Sequence, residues 1–106
     1  MTLTREQIMT LHPGPETDER IAAHLSFRTD DPSALYSTQI HDAWIVVDEM
    51  ARRGFHLALE DCRLQDKRPG DWIAYYWTKD GHSTADGVGQ SPAHAICLAT
   101  LLAICR

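Results

Sequence analysis

The sequence predicts a small α+β fold: an antiparallel sheet of about three to four strands covered by helices, an α/β/α-type sandwich. Three observations predict it. Apolar residues recur at helical spacing between Ser37 and Gly54 and fill Ala93 to Cys105 on all sides, whereas the period drops to two from Phe55 to Glu60. Trp72 to Thr78 is a run of aromatic and β-branched residues, the composition of a pleated strand. Finally, 106 residues with 43% hydrophobic and 24% charged content suit one domain, 1–106, with a core of its own.

Each element has a local reason. Thr4 caps a short helix with Gln7 three residues on, the capping-box spacing, and that helix ends near Leu11. His12-Pro13-Gly14-Pro15 forces a turn, and a second helix starts at about Pro15 with acids in its first turn and Ile21 and Leu25 on one face. Residues 26 to 36 read as a connection, because Pro32 biases Asp31 away from helix. Ser37 or Thr38 then caps the clearest helix, marked by Ile40, Ala43, Trp44, Val47, Met50 and Ala51 and stopped by Gly54 after Arg52-Arg53.

Phe55, Leu57 and Leu59 share one face of the next strand, and His56, Ala58 and Glu60 the other. Asp61 to Asp71 is a polar return. Trp72 to Thr78 is bulky on both faces and is therefore expected at the centre of the sheet. Asp80-Gly81 turns the chain into a shorter strand over Ser83 to Val88, with Gly87 and Gly89 read as its fraying end. Ser91-Pro92 opens the last helix with a capping hydroxyl and a proline at the first helical position.

Composition narrows function. Ten Lys and Arg against 15 Asp and Glu give a net charge of -5, which argues against coating duplex nucleic acid, since that needs a concentrated basic face. No stretch reaches the roughly 20 apolar residues that span a bilayer, and Met1 to Leu11 has no signal-peptide pattern, so a cytoplasmic protein without a membrane partner is expected. Cys62, Cys97 and Cys105 are odd in number and form no Cys-x-x-Cys pair; they read as core thiols.

The six histidines (12, 24, 41, 56, 82, 94) lack metal-ligand spacing, so no metal or cofactor is expected. His41-Asp42 are adjacent on a helix and point apart, and Cys62 has no dedicated base, so no catalytic residue is assigned. Ser91 and the helix amides behind it are a candidate anion site, although Gly87-Val88-Gly89 matches neither a Rossmann nor a Walker pattern. Alternation sends Ile73, Tyr75 and Trp77 to one face of their strand, and unless helices cover both faces one set of rings lies near solvent. Tyr75 and Trp77 are therefore candidate partner-binding residues, as large rings gain contact area at low entropy cost. The acidic residues Glu16, Asp18, Glu19, Asp30 and Asp31 are candidates too, able to mimic phosphate charge, although such runs are more often simply solvated.

Three segments taken together carry a resemblance: Arg5 to Met9 with Pro13 to Asp18, Tyr36 to Trp44, and Ser91 to Cys97. They resemble the phage ABA sandwich domain family, with the likeness running from about residue 4 to 103. His41 and His94 stand where members usually carry a small or acidic residue. The resemblance supplies no catalytic residue. It implies a phage or prophage accessory protein in the bacterial host cytoplasm, with helices covering the sheet. By analogy it also implies a non-enzymatic counter-defence factor of the anti-CRISPR type, whose partner is a host defence protein or ribonucleoprotein complex. The alternatives are a nucleotide-signal sponge and an oligomeric structural or scaffold module; a homodimer is a further partner to consider.

Overall fold

The computed structural model describes residues 3–25, 35–61, 72–81 and 86–105. Along the chain these form α1 (Arg5–Met9), α2 (Pro15–His24), α3 (Ile40–Arg52), β1 (His56–Asp61), β2 (Trp72–Trp77), β3 (Gly87–Gly89) and α4 (Pro92–Ile104). The three strands make one antiparallel sheet in the order β1-β2-β3, so β2 is central, as its two-sided bulk requires. The fold class is the α+β class that the sequence predicts.

The sheet has an inner and an outer face, fixed by register. Leu57 opposite Tyr76, Leu59 opposite Ala74, and Ala74 opposite Gly87 place one row toward the helices. Helix α4 lies under β2 and β3, with α3 beside it and reaching β1. Helices α1 and α2 pack on α4 as well, so α4 is enclosed and every residue from Ala93 to Ala103 is buried. That enclosure explains why the helix is apolar on all sides: it has no solvent side to mark with charge.

Close approach between β3 and α4 depends on two glycines. A Cβ added at Gly87 would stand within 3 Å of the Ala99 and Ala95 backbones, and one at Gly89 would meet the Ala95 backbone in the same way. Neither contact is relieved by rotating a side chain. Gly87 and Gly89, expected as the fraying end of a strand, are instead the strand itself, and their bare α-carbons face the small residues Ala95 and Ala99 of the helix. Residues 83–85 of the expected strand lie outside the described residues.

Local signals hold with one correction. Thr4 and Gln7 form the reciprocal capping box of α1, and Ser91 Oγ accepts from the His94 amide at the start of α4. Gly54, with φ of 93°, ends α3; its amide donates to the Ala51 carbonyl, and that of Phe55 to Met50, closing the turn. Ser37 and Thr38 do not cap α3, whose N-cap is Gln39 with no side-chain bond. Ser37 is buried and committed to α2, and Asp42 in the first turn of α3 reaches back to accept from the Leu35 amide at 2.8 Å.

The glycine contacts yield the first test. Gly87→Ala and Gly89→Ala are each expected to lower unfolding free energy by about 3 kcal/mol or to prevent folding, because the added methyl meets backbone rather than a movable side chain. Chemical denaturation checks this. An unchanged midpoint for both variants would mean that β3 does not sit on α4 in this way.

Candidate functional site

Burial sorts the aromatic residues of β2. Tyr76 is fully buried on the inner face, edge-on to Phe55 at 6.1 Å. Its hydroxyl meets Thr100 Oγ1 at 2.8 Å; that oxygen already donates its proton to the Ile96 carbonyl, so Tyr76 is the donor. Burial raises the pKa of this phenol. The opposite row is different. Ile73 and Tyr75 are half-buried and Trp77 is 41% exposed, and the β3 residue paired with Ile73 is the half-buried Val88.

This outer row forms a continuous surface with the outward residues of β1. Trp77 pairs with His56, Tyr75 with Ala58, and Ile73 with Glu60. The Tyr75 hydroxyl donates to Glu60 Oε2 at 2.5 Å, a diagonal cross-strand bond, and the Tyr75 and Trp77 rings meet edge to face at 6.5 Å. The rings are thus held in fixed orientations on a rigid strand. Among the described residues no helix packs on this face, which meets the condition under which the sequence expects one set of rings near solvent.

Of the acidic candidates, Glu16, Asp18 and Glu19 are not brought together with these rings. Helix α2 packs chiefly on α4. Glu16 and Glu19 are exposed on α2, and Glu16 is 3.6 Å from Arg20. Asp18 is a correction to the exposed acidic run: it is only 6% exposed, and its Oδ1 accepts from both the amide and the hydroxyl of Ser37, at 2.8 and 2.7 Å. The Ser37 hydroxyl in turn accepts from the Gly14 amide at 2.8 Å. Asp18 therefore pins the start of α2 to the entry of α3, and partner binding through it would require breaking that anchor. Its position was legible after all, since 18, 21 and 25 share one helix face with the buried Ile21 and Leu25. Asp30 and Asp31 lie outside the described residues.

The helix start at Ser91 is already occupied by the protein. Ser91 Oγ takes the His94 amide, and His94 Nδ1 accepts from the Gln90 amide at 3.1 Å. With Nδ1 accepting, the ring proton sits on Nε2, which donates to the Leu11 carbonyl at 2.9 Å. His94 is thus a neutral, buried tie between the end of α1 and the start of α4. Burial lowers its pKa, aided by nearby His12, while the Leu11 carbonyl works the other way. These amides are used internally, which leaves little of the anion site expected at Ser91.

Burial, with Asp18 nearby, raises the pKa of the Cys97 thiol, and burial raises that of Cys105. Cys62 lies outside the described residues. Among those described, no group of three or more His, Cys, Asp or Glu is placed to hold a metal. His41 is exposed and Asp42 is bonded to Leu35. An open cleft of about 430 Å³ between α1 and the start of α2 is lined by Gln7, His12, Glu16 and Arg20 among others, with Arg20 turned to Glu16. No helix among the described residues is long and apolar enough to cross a membrane.

The described helices, gathered on one side of a small antiparallel sheet whose other side carries oriented rings, define a small α+β protein whose candidate site is a surface. The family model of the phage ABA sandwich domain matches residues 6–101, and the chain belongs to that family. It is thereby a small phage-encoded protein. It matches no curated protein and no solved structure.

His94 generates a pH test with a defined sign. Its folded pKa lies below the ordinary value of 6.5, so the unfolded chain binds the proton more readily, and the stability from the neutral ring is lost as pH falls from about 6.5 toward the lower folded value. Urea unfolding should show a midpoint that drops over this interval. In His94→Gln the dependence should be shallower, with stability at pH 7.5 lower by about 1–3 kcal/mol from the disrupted buried bonds. An equally steep pH dependence in that variant would remove His94 from this role.

Proposed function

We propose that this protein is a non-enzymatic binding module whose outer sheet face recognises a host protein, and that the target is a component of a bacterial defence complex. One observation carries the reading: Ile73, Tyr75, Trp77 and Val88 form an aromatic and aliphatic face on a rigid sheet, with no described helix over it. Burial of such rings is a common anchor of protein interfaces, because a ring already fixed by its neighbours loses little freedom on binding. The Tyr75 bond to Glu60 supplies that preorganisation and places a carboxylate beside the rings.

The absence of enzymatic activity is part of the proposal and is supported by where the titratable groups are spent. His94, Asp18 and Asp42 each serve as structural ties. The choice of a defence complex as target rests on the phage family, in which a small acidic accessory protein fits an inhibitor that docks on a larger host assembly. Glu16 and Glu19 lie on a different side from the rings and add long-range charge to the approach rather than the docked contact.

The test is a pull-down of tagged chain from host lysate, followed by affinity measurement on the recovered complex. Trp77→Ala should weaken binding by about 2 kcal/mol or more, roughly 30-fold, while the fold melts nearly unchanged because the ring is exposed. Glu16→Gln with Glu19→Gln should slow association only modestly. Recovery of no defence component, or binding indifferent to Trp77→Ala, would reject the proposal.

A further inference from the structure

Helix α3 turns a second apolar surface to solvent. Its core side is Ala43, Val46 and Met50, all fully buried. At about 100° per residue, the line directly opposite is held by His41 and Asp48, which lie within about 20° of each other, with Trp44 about 50° to one side and Ile45 about 50° to the other. His41 and Asp48 are exposed, and so are the two large side chains between them, Trp44 at 49% and Ile45 at 48%. Ile40 and Ala51, also exposed, extend the Trp44 flank. Exposed charges on a helix commonly pair with a residue one turn away. Arg52 stands one turn beyond Asp48, yet it is turned to Glu49 at 3.6 Å, and Asp48 takes part in no ion pair among the described residues.

We infer that a second copy of the chain docks on this face, helix α3 against helix α3, antiparallel, about a two-fold axis that passes between the two helices at right angles to both. The face is self-complementary for this arrangement. Such an axis keeps each flank of the helix opposite the same flank of the second copy. Centred between Trp44 and Ile45, it sets Trp44 beside Trp44 and Ile45 beside Ile45 of the second copy. The same register sets His41 opposite Asp48, a contact that occurs twice, and an imidazole N–H donates to a carboxylate whether or not the ring is charged. Centred one turn later, the axis sets Asp48 against Asp48 and brings Ile45 to Arg52. Centred one turn earlier, it sets His41 against His41 and leaves Asp48 beyond the end of the facing helix. Charge and apolar matching therefore select the first register.

The choice of a second copy as occupant follows from this symmetry. A foreign partner would need only the apolar residues, whereas an imidazole and a carboxylate equally spaced on either side of them are what an isologous contact requires. Size sets the strength. The facing stretch of α3 is about 15 Å long, so the contact falls short of the roughly 800 Å² per partner of a stable interface, and the dimer is a weak one with Kd on the order of 10 to 100 µM. Helix α3 belongs to the helical layer, where it packs on α4 and β1. The pairing therefore does not use Tyr75 or Trp77, and the dimer presents the ring-bearing face twice.

Sedimentation velocity of the full chain over about 5 to about 500 µM reads this directly. A concentration-dependent dimer is expected. Trp44→Glu should weaken it at least about tenfold, with unchanged circular dichroism because the ring is exposed. His41→Asp sets two carboxylates together at both symmetric contacts and should weaken it about fivefold or more, whereas adding Asp48→Lys to that variant should restore it. Trp77→Ala should leave the dimer intact, which separates this proposal from target binding. A dimer indifferent to Trp44→Glu, or one in which Asp48→Lys does not rescue His41→Asp, would overturn it. So would a monomer throughout the range; if Trp44→Glu then weakened capture of the host target, the face would belong to that target instead.

Discussion

Everything in this molecule depends on the contact between the β3 backbone and helix α4. Among the described elements, helix α4 is touched by the sheet and by α1, α2 and α3, which requires that the strand above it carry no side chains toward it. Gly87 and Gly89 provide that, two residues apart and hence on one face, opposite Ala95 and Ala99, four apart and hence on one side of the helix. The strand sits close, the sheet closes over α4, and Tyr76 reaches Thr100 across the gap at 2.8 Å. A larger residue at either glycine would lift the sheet edge and break that hydrogen bond with it.

An enclosed helix raises a second constraint, because its ends and its few polar groups must be satisfied without water. Two short networks do this, and a third ties together the elements around it. Ser91, His94 and Gln90 close the N-terminus of α4 and tie it to Leu11; Thr100 takes the Tyr76 hydroxyl; and Asp18 with Ser37 and Gly14 joins α2 to the approach of α3. Residues that in isolation suggest chemistry are consumed as structural ties. One of these ties is a histidine whose bonds, Nδ1 accepting and Nε2 donating, fit the neutral ring.

The elements with strong local signals were legible in the sequence: the capping box at Thr4, the Gly54 stop, the strand after Phe55 and the enclosed character of the last helix all reappear where their spacing puts them, although burial along that strand does not alternate, Ala58 being half-buried and Leu59 exposed. What the sequence reading missed depends on distant partners. Ser37 stands where a cap would, but Asp18, 19 residues earlier, claims it. Gly87 and Gly89 look like a weak strand end until the facing alanines of α4 are known. Of the candidate site residues, Tyr75 and Trp77 follow from period-two alternation and lie on the outer face, whereas Asp18 sits in a run of charged neighbours that masks the helix face it shares with Ile21 and Leu25.

One face of the sheet is thus consumed by folding and the other carries the more exposed rings, a division enforced by alternation along β2. The rings of Tyr76 and Trp77 are chain neighbours with opposite fates. Hydroxyl-radical footprinting of the purified chain compares them in one experiment. Rapid oxidation of Trp77 with Tyr76 protected is the result this account requires, and a protected Trp77 beside a reactive Tyr76 would contradict it.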